Sequence, residues 1–375
     1  MKIIFFADSL IAGGQERRML ELIRYLRKHT DYEIALVITE NEIFYQYAHE
    51  LGITIEIIKR SRIKYDPRLF LLFYKFCRRF KPDIIHTWGK MTTFYAIPTK
   101  LFYKEVPLVS NLIANSSRNF NVCSLDFYFY AFNTLFADVI LSNSNAGLLA
   151  YKIKSKKAKV IRNGVHIDRF KEKYNIIDER KKLNIKTHFM IIMVASFTKS
   201  KDYDLFLDIA KIIGQTRNDI TFVGVGDGPT WNRIRQRIID ENIGRVILTG
   251  DQSIVEPLIA ASDIGLLCTF SEGISNSIME CMALGKPVIT TDLIGGSKEI
   301  VIEGETGFCT SRNPEEIIGL INLLLKNDEM RVSMGNKGKE RINADFSIER
   351  MGKEFEITYE NALAKKKRTL IRNIK

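Results

Sequence analysis

Two glutamates eight residues apart, Glu272 and Glu280, are the residues whose type and spacing most clearly suit chemistry. Glu280 follows Ser277 at the spacing of a capping box, which predicts a short helix with Glu280 in its first turn. Backbone N–H groups at such a helix start bind anions, and carboxylates accept hydrogen bonds from hydroxyl groups. The pattern therefore predicts a site for a ligand with phosphate and hydroxyl groups, such as a sugar nucleotide. The loop and helix start that would surround the ligand are Gly273, Ile274, Ser275, Asn276 and Ser277.

A purely structural role is the alternative for this segment, because capping-box glutamates are common and helix N-termini attract acidic residues. The wider sequence favours the functional interpretation. Residues 272–289 (EGISNSIMECMALGKPVI) resemble the E-x7-E signature of the family 4 retaining glycosyltransferases, and the resemblance extends over nearly the whole chain. It implies that Glu280 binds the ribose hydroxyls of the donor and that Glu272 binds a hydroxyl of the transferred sugar.

The elements that must position these residues alternate between strands and helices. Apolar runs of strand length are separated mostly by helical patterns of about 10–15 residues, which predicts parallel sheets built from β-α-β units. The runs lie at 2–7, 32–38, 53–58, 83–88, 107–112, 138–143 and 159–162, and then at 189–195, 220–225, 246–249, 264–268, 287–291 and 307–309.

The pattern occurs twice, and 375 residues exceed one ordinary core, so we expect an α/β fold of two doubly wound Rossmann-like domains. Ligands of such domains bind beyond the carboxyl ends of the strands, which predicts a site in a central cleft. The resemblance implies the same arrangement, the GT-B fold. The predicted parts are an acceptor-side domain at 1–168, a linker at 169–187, a nucleotide-sugar-binding domain at 188–345, and a crossover helix with a basic tail at 346–375.

Candidate residues in the first half lie at two strand ends. Gly13 and Gly14 allow close approach of the backbone to a ligand, and they resemble a family loop that faces the donor phosphates. His86 lies where the family often has a histidine near the donor sugar, but Trp88 replaces a second family histidine two residues on. Catalysis by His86, a structural hydrogen bond, and stacking of Trp88 on a sugar are all open. Asn163-Gly164 resembles an interdomain turn, which we interpret as a hinge.

In the second half, Lys201 matches a family lysine, which implies that it neutralises the departing diphosphate. Ser196 stands where the family commonly has arginine, so Lys199 or the predicted helix start would have to replace that phosphate contact. Gly226 belongs to a glycine-rich loop that lines the nucleotide site in the family. Asp251 belongs to a loop resembling one that contacts the base.

The pair Asp202 and Asp204 imitates the D-x-D metal motif of other glycosyltransferases. We interpret it as coincidence, because it lies in the lysine loop and GT-B enzymes do not bind a metal through this motif. No zinc-type ligand cluster occurs either, so we expect no metal site and no cofactor.

Composition and charge indicate where the protein acts. Met1 and Lys2 run directly into the first strand, and five cysteines without a C-x-x-C motif indicate reduced thiols, so we expect a cytoplasmic protein without a signal peptide. The net charge of +12 suits nucleic acid or an anionic membrane, but we find no nucleic-acid motif. Basic residues concentrate in 59–81, where apolar residues recur at helical spacing. This helix either binds an anionic membrane or packs its apolar face into the core. The same two alternatives apply to aromatic residues within 120–136.

Together these features predict a metal-independent retaining glycosyltransferase of the hexosyl or N-acetylhexosaminyl type. The expected donor is a nucleotide-diphosphate sugar with UDP as the nucleotide. The expected acceptor is a lipid-linked saccharide in bacterial surface polysaccharide or glycan assembly, at the inner face of the membrane. The main alternative is a catalytically silent sugar-nucleotide binder or scaffold of the same fold. A dinucleotide oxidoreductase lacks its glycine fingerprint here, and a sugar-nucleotide 2-epimerase does not account for the E-x7-E segment.

Overall fold

The structure is a computed structural model that describes residues 1–11, 13–62, 65–113, 124–291 and 295–374. The chain divides into two compact units. Unit 1 comprises Met1–Gly164 and Ile348–Lys375, and unit 2 comprises Val165–Ser347.

Unit 1 contains a seven-stranded parallel sheet in the order β3-β2-β1-β4-β5-β6-β7. Because β4 pairs with β1 and not with β3, the strand order reverses beside β1, and doubly wound sheets bind ligands at such a point. The strands are β1 Lys2–Ala7, β2 Glu33–Ile38, β3 Thr54–Ile57, β4 Ile84–Trp88, β5 Leu108–Ile113, β6 Val139–Ser142 and β7 Ala158–Val160.

Helices cover both faces of this sheet. Side chains alternate along β1, so Ile3 and Phe5 belong to one apolar cluster while Ile4 and Phe6 belong to another on the opposite face. This explains why β1 is apolar at consecutive positions and does not alternate with polar residues. The helices are α1 Gly14–His29, α2 Arg68–Phe80, α3 Lys90–Phe102, α4 Leu125–Phe136 and α5 Asn145–Ala150, and a 3-10 turn lies at Gln46–Leu51.

Unit 2 contains a six-stranded parallel sheet in the order β10-β9-β8-β11-β12-β13, with the reversal between β8 and β11. Its strands are β8 Phe189–Val194, β9 Ile220–Val225, β10 Val246–Leu248, β11 Ile264–Leu267, β12 Val288–Thr290 and β13 Gly307–Cys309. Its helices are α6 Ile176–Lys182, α7 Tyr203–Thr216, α8 Trp231–Asp240, α9 Glu256–Ala261, α10 Asn276–Ala283, α11 Ser297–Ile300, α12 Pro314–Lys326 and α13 Asp328–Asp345, and a 3-10 turn lies at Ile167–Phe170.

The last helix, α14 (Ile348–Ile374), belongs to unit 1, as predicted for a helix that crosses back. It packs on α1, where a Cβ atom at Gly352 would collide with the Tyr25 ring. Met351, Phe355 and Tyr359 of α14 join the apolar cluster on the α1 face of the sheet.

Each predicted strand is present within two residues of its expected bounds, and the predicted pair of doubly wound sheets is confirmed. The division of the chain differs from the prediction, because unit 2 begins at Val165 and residues 169–187 are part of it. Most of these residues are exposed, which accounts for their polar composition, and some of their charged side chains tie the segment to the rest of unit 2. Arg180 of α6 contacts Asp263 at 2.8 Å and donates to the carbonyl of Ala261 at 3.0 Å.

Candidate functional site

The loop and helix that carry the two glutamates follow β11 in unit 2. Helix α10 is capped by Ser275, whose hydroxyl accepts a hydrogen bond from the Ile278 N–H at 3.5 Å. The predicted capping box of Ser277 and Glu280 is therefore wrong: Glu280 is the fifth residue of the helix. Ser275 takes the cap because its backbone is extended, with φ −78° and ψ 119°, as a cap residue requires. Residues 273–275 are buried, and Asn276 and Ser277 are half-buried.

Glu272 forms an ion pair with Lys201. The loop after β8 brings the lysine there, because Lys201 bridges to Thr269 and the Phe270 N–H donates to the Ser200 carbonyl at 3.0 Å. Both charged side chains are largely buried. An ammonium and a carboxylate held together at the carboxyl edge of a sheet provide a donor for phosphate and an acceptor for hydroxyl groups. Lys199, the alternative lysine, is exposed.

Gly296 fixes the loop that contains Glu272. Its N–H donates to the Glu272 carbonyl at 2.9 Å, and a Cβ atom at Gly296 would lie 2.5 Å from the Gly273 carbonyl oxygen. Any side chain at position 296 would therefore displace the loop.

Glu280 is buried, and its Oε1 lies 3.6 Å from Nη2 of Arg169. The Arg169 guanidinium also holds Glu256, with 2.7 Å from Nε to Oε1. Arg169 escaped prediction because it belongs to no motif and lies far from Glu280 in sequence. The signal that could have indicated such a residue is Glu280 itself, because a buried carboxylate requires a cationic or hydrogen-bonding partner.

Two further predicted donor residues, Gly226 and Asp251, lie after β9 and β10. Gly226 has φ +137°, its N–H donates to the Gly250 carbonyl at 2.9 Å, and a Cβ atom would collide with the Ala195 carbonyl. The loops after β8, β9 and β10 thus pack together through Gly226. Asp251 is exposed, and its pKa is raised by partial burial and by the neighbouring Asp227 carboxylate.

Arginines hold both carboxylates of the D-x-D look-alike. Asp202 accepts from Arg312 Nε at 2.9 Å and caps α7, and Asp204 pairs with Arg233 at 2.6 Å and Arg237 at 3.1 Å. Over the described ranges, no three His, Cys, Asp or Glu side chains are grouped closely enough to hold a metal ion.

In unit 1, the predicted Gly-Gly loop is the start of α1. Gly13 is the extended cap residue, and a Cβ atom there would collide with the Glu16 carboxylate, so glycine gives Glu16 room to fold back. Gly14 is the first helical residue and is exposed. Burial raises the pKa of Glu16, and the nearby Asp8 carboxylate raises it further. Asp8 directly follows β1, and burial raises its pKa too, partly offset by Arg60. Neither acid was predicted as a site residue. The position of Asp8 directly after a buried strand could have indicated it.

His86 does not fit its predicted catalytic role, because its side chain has no exposed surface. Its ring lies among Phe5, Trp88, Phe355 and Tyr359, with Nδ1 2.8 Å from the Tyr359 hydroxyl and 3.3 Å from the Trp88 indole nitrogen. The indole N–H can only donate, so Nδ1 accepts and the neutral ring carries its proton on Nε2. Burial lowers the pKa of His86 to about 3. Trp88 is buried as well, so it offers no face for stacking on a sugar.

The predicted hinge Asn163-Gly164 lies at the division between the units. Within unit 1, the buried Arg18 of α1 pairs with Glu21 at 2.5 Å and donates to the Gly164 carbonyl, and the Gly164 N–H lies 3.1 Å from Met351 Sδ.

The basic amphipathic segment divides between core and surface. Leu69, Phe73 and Phe76 of α2 are buried, so its apolar face packs into the core. Its opposite face exposes Leu71 and Leu72 together with basic residues, namely Arg68, Lys75, Arg78 and Arg79. In the aromatic segment, α4 exposes Tyr128 (60%), Phe132 (40%) and Leu135 (70%) along one face. Lys64 and Phe120, which belong to these segments, lie outside the described residues. Among the described helices, none is both long and apolar enough to cross a membrane.

Comparison with known proteins gives two family matches, "Glycosyltransferase Family 4" over residues 12–169 and "Glycosyl transferases group 1" over residues 175–341. N-acetyl-alpha-D-glucosaminyl L-malate synthase of Bacillus anthracis is 31% identical over 51% of this chain and 53% of that protein. A Campylobacter jejuni N-acetylgalactosamine-N,N'-diacetylbacillosaminyl-diphospho-undecaprenol 4-alpha-N-acetylgalactosaminyltransferase is 24% identical over 92% of this chain and 95% of its own length.

Solved structures share the fold. Anabaena HepE in complex with UDP and glucose superposes with a TM-score of 0.85 at 20% identity, over 96% of this chain and 99% of that one. Sucrose-phosphate synthase from Thermosynechococcus elongatus gives 0.81 at 18% identity, over 97% and 99%. These neighbours have the GT-B fold, which confirms the predicted fold class. With both halves matched by the corresponding family models, the chain belongs to the family 4 glycosyltransferases.

Proposed function

We propose that this protein is a retaining glycosyltransferase that moves a sugar from a UDP-sugar to a lipid-linked saccharide. The observation that carries the proposal is the Lys201–Glu272 ion pair beside the start of α10, with Glu280 buried in the same helix. The names of two similar proteins support the substrate classes: HepE was solved with UDP and glucose, and the Campylobacter transferase acts on a diphospho-undecaprenol-linked sugar.

In the proposed reaction, the bond between the anomeric carbon and the diphosphate oxygen breaks as the acceptor hydroxyl attacks from the same face. The hydroxyl proton passes to the departing phosphate oxygen. Negative charge grows on the leaving group, so Lys201 and the N–H groups at the start of α10 supply the main stabilisation. Glu272 orients a sugar hydroxyl and Glu280 binds the ribose. Donor binding must loosen the Lys201–Glu272 ion pair so that each group contacts the ligand.

The acceptor is proposed to bind at the carboxyl edge of the unit 1 sheet. A cavity of about 580 Å³ lies there, lined by residues 39–42 and 59–62. The lining contains Glu40 and Glu42 as well as three basic residues, and Arg60 pairs with Glu40. Lys59 and Arg62 suit the diphosphate of a lipid-linked acceptor. Asp8 and Glu16 at the same edge are carboxylates that can accept hydrogen bonds from sugar hydroxyls.

A thermal-shift screen with UDP-, GDP-, ADP- and CMP-sugars tests the donor assignment, since a bound ligand raises apparent stability. We expect a UDP-sugar to raise Tm and to be consumed by transfer or slow hydrolysis. Glu280→Ala should weaken donor binding and lower turnover by about tenfold or more, equivalent to about 1.4 kcal/mol, because it removes charged hydrogen bonds. Glu315→Ala, an exposed glutamate on α12, is the matched control. Unchanged transfer by a folded Glu280→Ala protein would contradict the assignment, and binding without any turnover would favour a silent binder.

Metal independence is part of the proposal. Asp202 and Asp204 are held by arginines, so we expect full transfer activity after treatment with EDTA. The check is a transfer assay before and after chelation, with Mn²⁺ or Mg²⁺ added back. Loss of activity that either metal restores would show that a metal site exists.

A further inference from the structure

Arg169 joins two buried glutamates in unit 2. Its Nε lies 2.7 Å from Oε1 of Glu256, and its Nη2 lies 3.6 Å from Oε1 of Glu280. Both carboxylates are almost fully buried, whereas the Arg169 side chain keeps 17% of its surface exposed. Burying two carboxylates on one guanidinium carries a desolvation cost, because each charge must be taken out of water, so net stabilisation alone is a weak explanation for the arrangement.

At the Glu256 end of this series of contacts, both carboxylate oxygens have partners. Glu256 is the first residue of α9, and its Oε2 accepts a hydrogen bond from the Val255 N–H at 2.9 Å. Arg169 is fixed as well, because its carbonyl accepts from the Tyr174 hydroxyl at 2.9 Å and its guanidinium lies 5.2 Å from the Phe170 ring. The backbone at the start of α9 thus orients the Glu256 carboxylate. That carboxylate orients the Arg169 guanidinium, which faces Glu280.

We propose that Arg169, anchored by Glu256, is a positioning residue that aims the Glu280 carboxylate at the vicinal hydroxyls of the donor ribose. The inference rests on the proposed ribose-binding role of Glu280 and adds a consequence to it. A carboxylate must stay ionised and in one rotamer to accept hydrogen bonds from two neighbouring hydroxyls. The protein therefore discriminates ribonucleotides from 2′-deoxyribonucleotides through the effect of Arg169 on Glu280.

The planar guanidinium is the suitable group for this task. Its donors are arranged in a fixed fork, so it can hold Glu256 along one edge while it faces a second carboxylate. Lysine would provide the charge as a single flexible point. Arg169→Lys should therefore restore part of what Arg169→Gln loses.

Calorimetric titration with UDP and with 2′-deoxy-UDP is the test. We expect the wild type to bind UDP at least about tenfold more tightly than 2′-deoxy-UDP, because one lost charged hydrogen bond is worth about 1.5 kcal/mol or more. Arg169→Gln should weaken UDP binding about tenfold more than it weakens 2′-deoxy-UDP binding, because only UDP has the 2′-hydroxyl to lose, so that the preference largely disappears. Glu256→Gln should act in the same direction with a smaller effect. Arg169→Gln combined with Glu280→Gln should bind UDP no more weakly than Glu280→Gln alone.

Arg180→Gln is the matched control. Arg180 is 19% exposed and forms its own ion pair with Asp263 in unit 2, so its loss should lower Tm without changing the ratio of the two affinities. Equal weakening of both ligands by Arg169→Gln, or additive losses in the double variant, would overturn the inference and leave Arg169 a structural ion pair. Absence of UDP binding by the wild type, or an unaffected Glu280→Gln protein, would overturn the proposed function as well.

Discussion

At the scale of single residues, the site in unit 2 is made of charged side chains that partner each other. Lys201 pairs with Glu272, and Arg169 lies between Glu256 and Glu280. A largely buried charge without a partner destabilises the folded state by several kcal/mol, and these ion pairs offset that penalty while no ligand is bound. They also place a cation and an anion where a phosphate and a hydroxyl can take over the contacts.

His86 gives a pH-dependent prediction. Its pKa is about 3 in the folded protein because of burial, against about 6.5 for an unperturbed histidine. The unfolded chain binds the proton more readily, so the contribution to stability is present above pH 6.5 and is lost as the pH falls towards 3. The expected loss is about 1.4 kcal/mol for each pH unit below 6.5.

Thermal or urea unfolding of wild type and His86→Gln at pH 7.5, 5.5 and 4.5 measures this loss. The stability difference between the two proteins should shrink as the pH falls, because glutamine does not titrate. His49→Gln, at an exposed position, is the control and should keep a constant difference. If the stability difference between wild type and His86→Gln also stays constant with pH, His86 accepts a proton as readily in the folded state as in the unfolded state.

At the scale of elements, glycines decide how closely the loops at the carboxyl edge of the unit 2 sheet pack. Gly226 lies at this edge and Gly304 lies in the loop that enters β13; both have positive φ, at +137° and +73°. A Cβ atom at Gly226 would collide with the Ala195 carbonyl, whereas a Cβ atom at Gly304 would have no atom within 4 Å. The pair therefore separates backbone strain from steric overlap.

Gly304→Ala should cost about 1–2 kcal/mol of unfolding free energy, which is the strain of a left-handed alanine. Gly226→Ala should cost about 3–5 kcal/mol, because overlap with the neighbouring loop adds to the strain. Both residues lie in unit 2, so urea unfolding of that unit compares them directly. Similar losses of unfolding free energy for the two variants would mean that the loop after β8 moves away from the added Cβ atom at no energetic cost.

At the scale of the whole molecule, the net charge of +12 and two exposed helix faces suit the proposed location at an anionic membrane. α2 presents basic residues with Leu71 and Leu72, and α4 presents Tyr128, Phe132 and Leu135. Basic residues near an anionic surface contribute about 1 kcal/mol each, and aromatic residues favour the membrane interface. Binding should therefore be reversible and sensitive to salt.

Flotation with liposomes tests this location. Binding should rise with the anionic lipid fraction and fall with salt. It should weaken when Lys75, Arg78 and Arg79 become Gln, and also when Phe132 and Leu135 become Ser. Replacement of Lys326, Lys337 and Lys339, exposed in unit 2, removes equal charge and should matter much less. A wild-type protein that stays unbound on anionic liposomes at low salt would rule out the membrane location and favour a water-soluble acceptor.

The amino-acid sequence by itself determined the elements and the local motifs. Apolar runs predicted every strand of both sheets within two residues. The signal is strongest in central strands such as β1 and β9, because a strand buried on both faces needs a continuous apolar run. The segment from Glu272 to Glu280 was recognisable as a loop leading into a helix, because turn and capping residues act over a few positions. The family followed from these local patterns and their order along the chain.

Only the tertiary structure decided which distant side chains meet. Lys201 reaches Glu272 because β8 lies beside β11, and Arg169, which lies just outside the interdomain motif, reaches Glu280 from the 3-10 turn at Ile167–Phe170. The burial of His86 beside Tyr359 depends on the return of α14 to unit 1, which local sequence around His86 does not encode. Ser275 took the cap from Ser277 because the preceding loop set its backbone angles. Local periodicity fixes an element, whereas contacts between elements depend on strand order and packing across the whole unit.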